Sequence, residues 1–429
     1  MRRSSIAFVS LAALLVPTLS AAVGNVDLLT PDQTPVQSSG DYIVVLKDGS
    51  DVDSAAADIA ARHHGEVKHL YKHALKGFSA HLTLKKLKDL TDDPRVLMVS
   101  EDYLVSIAAR PSPQPTVQTV PSGVRRIYAE NKTNKGTGVE VAVIDTGIDL
   151  THPDLKANIL GGKNCVAGQK SFADQNGHGT HVAGTIAALQ NTQGVVGVAP
   201  EAKLWSVRVL DRNGNGTWSS VICGIDFVTS QASHIKVANM SLGGGGTNGA
   251  CNADALHQAV CNSVAAGVTY LVAAGNDGAD LRNSVPAAYP EVLAVSALAD
   301  SNGAPCGGGA ATSYGADDTF ASFSNYATLA GDVDRILGAP GVSILSTWKG
   351  GGYNTISGTS MATPHVAGAA ALYIQTHPGS TPAQVRAALL ATAEPGDVNW
   401  NSECGASATP FSHASGVRTY GPVLRTDSF

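Results

Sequence analysis

The sequence of 429 residues is long enough for one large domain and one small one, and its 43% hydrophobic content can supply a sizeable core. A net charge of −6 without a basic tract argues against a nucleic-acid partner. Forty-six glycines with only 15% charged residues predict many tight turns in a globular chain, which excludes a disordered or fibrous protein.

The amino terminus has the pattern of a secretory signal. Two arginines after Met1 precede an apolar run from Ile6 to Val16, and small residues follow up to Ala22. The run is too short to span a bilayer, so we predict that residues 1–22 are removed on export and that the protein is extracellular. A retained membrane anchor is the alternative.

A small α+β domain is predicted for residues 41–105, after a linker over residues 23–40. Its predicted strands are Tyr42 to Leu46, Phe78 to Leu82 and Val96 to Val99, and its predicted helices are Val52 to His63 and Lys85 to Thr91. Four prolines then fall between Ala108 and Ser122. We interpret residues 106–122 as an exposed linker, which is where proteases cut.

From residue 123 onward, short apolar strands alternate with longer helical segments. The predicted strands are Val139 to Ile144, Leu204 to Leu210, Val237 to Leu242, Val268 to Ala274 and Val292 to Ala297. The predicted helices are His178 to Leu189, Trp218 to Ala232, Ala253 to Ala266, Met361 to Thr376 and Pro382 to Ala393. This alternation predicts an α/β fold with a doubly wound, mostly parallel sheet in residues 123–429. Residues 400–429 fit no pattern, and we interpret them as a surface tail.

All six cysteines lie after residue 160, and export would let them pair. Sequence cannot choose among the connectivities that an even count allows. Our hypothesis is Cys165 with Cys223 and Cys251 with Cys261, which leaves Cys306 and Cys404 as a pair or as free thiols. No C-x-x-C spacing predicts a structural zinc site.

Three polar side chains are predicted at the ends of elements around one crevice. Asp145 follows the apolar run 141–144, His178 opens a predicted helix among small residues, and Ser360 precedes another helix, with Pro364 expected in its first turn. Ligands of open parallel sheets bind beyond the carboxyl ends of the strands. A buried carboxylate at such an end needs a partner.

These motifs, 144–147, 178–181 and 358–362, resemble the subtilisin superfamily and most closely its proteinase K branch, over residues 41 to 395. The order Asp, His, Ser is that of subtilisins. The resemblance implies a serine endopeptidase that forms an acyl-enzyme. Ser360 would be the nucleophile, His178 the general base and acid, and Asp145 the residue that orients His178. Asn276 and the Ser360 N–H would form the oxyanion hole.

The resemblance also implies a substrate cleft. Its residues would be Gly214, Asn215 and Gly216 on one edge, Leu242 and Gly243 on the other, Trp218 as an aromatic wall, and Ala274 and Gly275 in the primary pocket. An extended peptide would lie between the edges as an added strand. We expect broad specificity with a hydrophobic preference before the cut, and Asp277 at the rim could admit some basic residues.

Residues 41–105 resemble the inhibitor-type propeptide of this family. The resemblance implies an autoprocessed zymogen in which the propeptide helps the slow-folding parallel sheet to form and then blocks the cleft with a tail over residues 99–107. Self-cleavage is expected within residues 106–122. Partners would be protein and peptide substrates and the chain's own propeptide, with no membrane contact after signal removal. We expect a monomer with no catalytic cofactor.

Calcium is the expected structural metal. In the proteinase K branch one ion is held by two carbonyls, matching Pro290 and Val292, and by a carboxylate whose position falls on Ile336 here. That carboxylate is absent, so Asp332 or Asp334 would have to supply the charged oxygen that calcium requires. We place Asp334 in the predicted site.

Other interpretations of single residues stay open. Asp145 alone could cap a turn, and Asn276 could be a turn residue. His178 and His181 could be half of a metal site, but Gly179 stands where the H-E-x-x-H motif has its Glu. An inactive adhesion protein on this fold and a serine esterase are the alternative functions. The esterase would be expected to carry the G-x-S-x-G elbow, which the residues around Ser360 lack.

Overall fold

The computed structural model describes residues 40–83, 88–106, 117–394, 414–415 and 418–429. The predicted signal peptide, the prolines at 111, 113 and 115, and Cys404 lie outside the described residues.

The first unit is the α+β domain that the sequence predicts. Its elements are β1 Gly40–Leu46, α1 Val52–Arg62, β2 Glu66–Tyr71, β3 Gly77–Leu82, α2 Lys88–Thr91, β4 Val96–Glu101 and β5 Leu104–Ser106. Four strands form an antiparallel sheet in the order β2-β3-β1-β4. Helix α1 begins where Asp51 Oδ1 accepts a hydrogen bond from Ser54 N at 2.8 Å. The sequence analysis missed β2 because half of its residues are polar and all but Tyr71 are at least partly exposed.

The second unit is an α/β domain. Its first half contains α3 Ser122–Arg126, β6 Glu140–Asp145, β7 Ile159–Asn164, α4 His178–Ala187, β8 Lys203–Arg208, β9 Asn215–Thr217, α5 Trp218–Ser230, β10 Ile235–Met240, β11 Gly244–Gly245, α6 Ala255–Ala265 and β12 Thr269–Ala273. Its second half contains β13 Ser284–Val285, β14 Leu293–Ala299, β15 Thr319–Phe320, α7 Ala330–Val333, β16 Ile336–Pro340, β17 Ile344–Trp348, β18 Gly352–Ile356, α8 Thr359–Thr376, α9 Pro382–Thr392, β19 Ala414–Ser415 and β20 Arg418–Thr419.

The main sheet has the strand order β15-β14-β12-β10-β6-β8-β7, and β16 also pairs with β14. All its pairs are parallel except β14 with β15, so the predicted mostly parallel sheet is confirmed. Successive residues of β6 point to opposite faces: Val141 and Val143 pack with α4, α8 and α9, whereas Ala142 and Ile144 pack with α5 and α6. Within the described part of the chain, no helix is both long and apolar enough to cross a membrane.

Two edge strands and one hairpin were not predicted. Strand β7 contains two glycines and is partly exposed, and β16 ends in Pro340, so neither shows a clear strand pattern. The hairpin β17–β18 is antiparallel and is separate from the main sheet. These strands depend on pairing with neighbours more than on local propensity.

Both hypothesised disulfides are confirmed, with sulfur pairs Cys165–Cys223 and Cys251–Cys261. The first joins the segment after β7 to α5. Cys306 is also disulfide-bonded, so it is not a free thiol.

The carboxyl-terminal residues 418–429 are not the surface tail that the sequence suggested. Gly338 N donates to Pro422 O at 2.7 Å, and Leu424 N donates to Gly338 O at 2.8 Å, so the chain pairs with the edge of β16. Val423 and Leu424 are fully buried. Apolar burial and backbone pairing make this segment part of the core.

A buried ionic cluster joins three distant segments. Arg126 is 1% exposed, and its guanidinium donates to Asp318 at 2.6 Å and to both carboxylate oxygens of Glu394 at 3.1 and 3.0 Å. Asp300 lies beside this cluster. Burial, with the charges of Asp318 and Asp317 adding to it, raises the pKa of Asp300 to about 6.

Asp300→Asn should therefore change how stability depends on pH. The raised pKa means that the folded state prefers the neutral carboxyl of Asp300. The stability that this group contributes is therefore fully present below the unfolded pKa of about 3.9 and is lost as pH rises through about 6. The substitution should raise the free energy of unfolding at pH 8 by up to about 3 kcal/mol and leave it little changed at pH 4. Urea unfolding of the precursor carrying Ser360→Ala measures this. Parallel pH curves for the two proteins would contradict the assignment.

Candidate active site

Asp145 and His178 form the buried centre of the site. Asp145 ends β6 and is fully buried, and His178 opens α4. The imidazole Nδ1 lies 2.9 Å from Asp145 Oδ1 and 3.0 Å from Oδ2. Because an ionised carboxylate only accepts hydrogen bonds, Nδ1 carries the proton and Nε2 remains as the proton acceptor.

Small residues around His178 allow this close packing. Gly177 precedes the helix with φ of 118°, a left-handed conformation that favours glycine, and a Cβ there would overlap the Trp348 ring. A Cβ at position 179 would overlap the carbonyl of Gly147. The glycines thus let α4 approach the end of β6, which brings His178 to Asp145.

Asp174 is a positioning residue that the sequence analysis missed. Its Oδ1 accepts hydrogen bonds from the backbone N–H of Asn176 and Gly177 at 2.8 and 2.9 Å, and Oδ2 accepts from Thr180 Oγ1 at 2.6 Å. Burial raises the pKa of Asp174. The signal was present in the sequence, because an Asp four residues before a helix start can hold the backbone of the first turn.

Ser360 lies at the start of α8 and is 8% exposed. Its Oγ donates to Ser241 O at 3.0 Å, and Ser241 Oγ donates to Ser360 O at 2.8 Å. The serine hydroxyl is thus directed to Ser241 in this structure. It must turn toward His178 before it can transfer its proton, since catalytic hydrogen bonds often form only with substrate bound.

Pro364 does not lie in the first helical turn, contrary to the expectation from sequence. Helix α8 begins at Thr359, so Pro364 is its sixth residue and lies inside the helix. A proline has no N–H to donate to the carbonyl four residues earlier, which is that of Ser360. Ser241 Oγ supplies the missing hydrogen bond to this carbonyl.

Two donors border the space where an oxyanion would form. Asn276 Oδ1 accepts hydrogen bonds from Thr359 N and Oγ1 at 2.8 and 2.9 Å, which leaves its NH₂ group for another acceptor. A Cβ built on Gly358 would lie 3.6 Å from both Asn276 Nδ2 and Ser360 N. Both nitrogens therefore lie near the same point beside Gly358, and the amino end of α8 adds a positive dipole there.

A cavity of about 600 Å³ contains these groups. Its walls are His178, Leu242, Gly243, Gly244, Gly245, Ala273, Gly275, Asn276, Asp277, Asn283, Ser284, Tyr314, Phe323, Ser357, Gly358, Thr359, Ser360 and Met361. Ala274 does not line it, since this residue is fully buried and its N–H bonds to Val295 O. Gly214, Asn215, Gly216 and Trp218 also lie outside the cavity walls.

The end of the first unit lies along those remaining cleft residues. Strand β5 pairs antiparallel with β9, with Leu104 opposite Thr217, Val105 opposite Gly216 and Ser106 opposite Asn215. Val105 is 2% exposed and belongs to the same hydrophobic cluster as Trp218. A strand added to this edge is the binding mode expected for an extended peptide.

Two aspartates join the units at helix α5. Asp102 accepts hydrogen bonds from Ser219 N at 2.8 Å and Ser219 Oγ at 2.6 Å, which satisfies the first turn of α5. In the opposite direction, Asp226 of α5 accepts from the backbone N–H of Lys72 and Ala74 at 3.0 and 2.7 Å. The carboxylate of one unit thus accepts hydrogen bonds from backbone N–H groups of the other unit, in both directions.

An oxygen-rich loop surrounds Gln118. Its Nε2 lies 2.9 to 3.4 Å from Leu189 O, Asn191 Oδ1, Gln193 O and Val195 O. An NH₂ group has two protons, so four oxygens exceed what it can satisfy. The fully buried carboxylate of Asp154 accepts from Asn191 Nδ2 at 2.7 Å beside this loop. Hard cations such as calcium prefer such oxygen sets.

The predicted calcium position has a different environment. Pro290 O accepts a hydrogen bond from the Arg386 guanidinium at 2.7 Å, and Asp334 is exposed at the end of α7. A cation at Pro290 and Val292 would have to displace that guanidinium. Calcium at this position stays a prediction.

A cluster of Cys251, His257, Cys261 and Glu291 has the composition of a metal site, with ligand atoms within 4.8 Å of one another. The two sulfurs form a disulfide, so they are not thiolates and cannot serve as strong ligands. His257 Nε2 instead bonds to Glu291 Oε2 at 2.8 Å.

The role of Ser241 can be tested against Pro364. In a Ser360→Ala background that prevents self-digestion, Ser241→Ala should lower the free energy of unfolding by about 1 kcal/mol. In the presence of Pro364→Ala the cost of Ser241→Ala should become smaller, because the N–H restored at position 364 can bond to the same carbonyl. The cost that remains is the loss of the hydrogen bond that Asn239 Nδ2 donates to Ser241 Oγ at 2.9 Å. Urea unfolding of the four variants measures the coupling.

Ser346→Ala is the matched control. Its hydroxyl also donates to a helix carbonyl, that of His181, at 2.7 Å, but it has no relation to Pro364. Ser346→Ala should lower the free energy of unfolding by the same amount with and without Pro364→Ala. Equal costs for Ser241→Ala in both backgrounds would show that the Ser241 bond does not replace the missing N–H.

Comparison with known proteins identifies the family. A model of the subtilase family matches residues 136–407, and one of peptidase inhibitor I9 matches residues 41–108. Subtilisin E of Bacillus subtilis (strain 168) is 39% identical over 400 residues, which are 91% of this chain and 94% of that protein. An extracellular serine proteinase of Thermus sp. (strain Rt41A) is 40% identical over 394 residues, 85% of this chain and 87% of that protein.

Solved structures agree. A cold adapted subtilisin-like serine proteinase superposes with a TM-score of 0.55 at 36% identity, covering 72% of this chain and 98% of that one. These similarities do not assign the chain to the proteinase K branch. They do show the superfamily that the motifs predicted, so the chain belongs to the subtilase family of serine endopeptidases and carries an I9 inhibitor domain ahead of its catalytic domain.

Proposed function

We propose that this protein is a secreted, autoprocessed zymogen whose mature form hydrolyses peptide bonds with Asp145, His178 and Ser360. One observation supports this most strongly. His178, which bonds to the buried Asp145, and Ser360 line one cavity, and the tail of the inhibitor domain pairs with β9 as an added strand.

The reaction follows from these contacts. Ser360 Oγ gives its proton to His178 Nε2 and bonds to the scissile carbonyl carbon, while Asp145 stabilises the imidazolium. The oxyanion accepts hydrogen bonds from Asn276 Nδ2 and Ser360 N–H. His178 then protonates the leaving amine, which departs. Water attacks the resulting acyl-enzyme ester with His178 again as the base, and this releases the acid and restores Ser360.

The cavity walls support a broad specificity. Glycine backbone, Leu242 and Ala273 form much of the surface near Ser360, so apolar side chains before the cut can be buried there. Val105 of the tail packs in the same cluster as Trp218, which supports an apolar residue at this wall as well. Asp277 at the rim would tolerate some basic residues.

Maturation removes the inhibitor domain. While β5 pairs with β9 and Asp102 and Asp226 hold the two units together, a substrate strand cannot take the same edge. Cleavage within residues 106–122 and release of residues 41–105 would open it. The signal pattern of residues 1–22 and the extracellular relative in Thermus support export. We expect the mature enzyme to act as a monomer with protein substrates and without nucleic acid.

Expression of the precursor beside its Ser360→Ala form tests this function. The parent should lose its amino-terminal segment, show a new terminus within residues 106–122, digest casein and be labelled by a sulfonyl fluoride. The Ser360→Ala protein should stay uncut and unlabelled. Ser230→Ala, which changes a serine at the end of α5, should behave as the parent. Equal trimming of parent and Ser360→Ala, with no casein digestion by either, would contradict the proposal.

A structural calcium ion also belongs to the proposal. The residues around Gln118 fit it, because carbonyl and amide oxygens of the 189–195 loop converge beside the buried carboxylate of Asp154. With Gln118 turned aside, these oxygens would hold the ion and stiffen the loop. The ion would contribute stability and take no part in the hydrolysis.

Chelation tests calcium and its position. Added calcium should raise the thermal midpoint of the Ser360→Ala precursor and a chelator should lower it, because an ion that binds only the folded state stabilises it. Asn191→Ala should abolish most of this difference, whereas Asp334→Asn should leave it intact. The reverse result would favour the position at Pro290 and Val292. If calcium does not change the thermal midpoint of the Ser360→Ala precursor, both proposed positions are excluded.

A further inference from the structure

Four potential metal ligands meet beside α6. Cys251 lies in the loop before this helix, His257 and Cys261 lie on the helix, and Glu291 lies just before β14. One ligand atom from each of the four residues lies within 4.8 Å of the others. Thiolate sulfur, imidazole nitrogen and carboxylate oxygen are the ligand types of tetrahedral zinc sites. Within the part of the chain that the structure describes, no other group of three or more such residues comes this close together.

Two of these ligands share one face of α6. His257 and Cys261 are four residues apart, so one helical turn brings their side chains together whether or not the cysteine is oxidised. The Cα atom of Cys251 lies 6.0 Å from that of Cys261. In a tetrahedral site with zinc–sulfur bonds of about 2.3 Å, two sulfurs are about 3.8 Å apart, and side-chain rotation supplies this spacing from these backbone positions. The backbone therefore suits a zinc ion as well as a disulfide.

The ring of His257 is already held toward the other ligands. It is fully buried and stacks on the Tyr289 ring, with centroids 3.9 Å apart and an interplanar angle of 3°. His257 Nε2 lies 2.8 Å from Glu291 Oε2, and Glu291 Oε1 lies 3.5 Å from Cys251 Sγ. The stacking partner is itself fixed, because Tyr289 Oη donates to Asp254 at 3.3 Å. Side chains that are ordered before an ion binds lose little conformational entropy when it does.

The exposed loop before α6 depends on a link to the helix. It follows Leu242 and Gly243, the second edge of the predicted cleft, and residues 245–253 are exposed. Burial therefore contributes little to holding this loop. Helix α6 in turn contacts the inhibitor domain, because Asn262 Nδ2 donates to Ala74 O at 2.6 Å. A link between the loop and α6 thus fixes the segment that joins the cleft edge to this helix.

We propose that Cys251 and Cys261 in their reduced form, together with His257 and Glu291, bind one zinc ion. Zinc and the disulfide are then alternative links for the same loop. Disulfides are rare before export, so the newly made precursor would carry the ion and the oxidised protein would carry the disulfide. The site lies outside the catalytic cavity, and metal binding there does not depend on the proposed peptidase function.

The exchange of the two links balances in electrons and protons. A phosphine gives two electrons to the S–S bond, which breaks, and water supplies two protons to the sulfurs and its oxygen to the phosphine oxide. Zinc then displaces both thiol protons into solvent, because the thiolate is the metal ligand. In the reverse direction a small-molecule disulfide takes two electrons from the thiolates by thiol–disulfide exchange, leaves as two thiols, and the ion is released.

Cobalt titration of the full precursor carrying Ser360→Ala tests the proposal, since tetrahedral Co²⁺ with thiolate ligands has strong visible and charge-transfer bands that Zn²⁺ lacks. The reduced precursor, freed of phosphine and kept from air, should bind one Co²⁺ with these bands, and added Zn²⁺ should remove them. The oxidised precursor should show no such bands. Zinc should also slow the alkylation of Cys251 and Cys261 by iodoacetamide. The rates for Cys165 and Cys223 should not change, which peptide mass spectrometry measures.

Variants of the reduced precursor assign the other two ligands. His257→Ala and Glu291→Gln should each weaken zinc binding more than about tenfold, because even a residue that only orients a metal ligand is worth that much. His234→Ala is the matched control. His234 Nδ1 lies 4.0 Å from Glu140 Oε1, which is a histidine–carboxylate pair away from the two cysteines, so zinc binding should be unchanged.

Cys251→Ala, also in the Ser360→Ala background, keeps the proposal testable if full reduction unfolds the chain. It leaves Cys261 as a thiol without any reductant, so the Cys165–Cys223 disulfide stays formed. Three ligands remain, and zinc should raise the thermal midpoint of this variant because the ion binds only the folded state. Addition of His257→Ala should remove that increase.

The outcomes decide whether the cluster is a metal site. One tetrahedral ion that is weakened by His257→Ala and kept in His234→Ala would support it. Metal binding that survives His257→Ala unchanged would show that other groups hold the ion, and would overturn the proposal. It would equally be overturned if neither the reduced precursor nor the Cys251→Ala variant bound cobalt or zinc.

Discussion

The hydrogen bonds between Asp145 and His178 depend on the whole catalytic domain. A fully buried carboxylate is costly unless its hydrogen bonds are satisfied, and here the imidazole Nδ1 and the Thr146 N–H satisfy it. Asp145 lies there because β6 is a central strand of the parallel sheet. His178 reaches it because glycines let α4 approach closely and because Asp174 holds the first turn. The packing of α4 against the end of β6 therefore determines the geometry of the site.

The inhibitor domain pairs with β9, the strand that we propose as one edge of the substrate cleft. Its tail pairs with β9, and its backbone N–H groups find an acceptor in Asp226 of α5. Asp102 in turn caps α5, the helix that packs against β6 on the face opposite α4. These contacts support the proposal that one small domain both helps the parallel sheet to form and blocks the cleft. Non-local strand pairing is slow to form, and a docked template reduces that cost.

Contacts between segments far apart in the sequence connect the catalytic domain. Arg126, Asp318 and Glu394 join the start of the catalytic domain, the loop before β15 and the end of α9 through buried ion pairs. Residues 422–424 cover the edge of β16. Tyr314 belongs to the loop that leads to Asp318. The ion pair between Asp318 and Arg126 therefore also anchors this wall of the cavity. Removing one partner of a buried ion pair leaves an uncompensated charge, so the loss of any of these residues would be strongly destabilising.

Local patterns in the sequence determined the alternating strands and helices and the three motif residues with Asn276. These features are visible because a motif or a hydrophobic period is encoded within a few neighbouring residues. The tertiary structure alone decided the position of Pro364 inside α8, the burial of residues 422–424, the oxygens around Gln118 and the place of Tyr314 on the cavity wall. Each of these depends on contacts between residues far apart in the chain. Packing and hydrogen-bond satisfaction bring such residues together, and no local pattern specifies them.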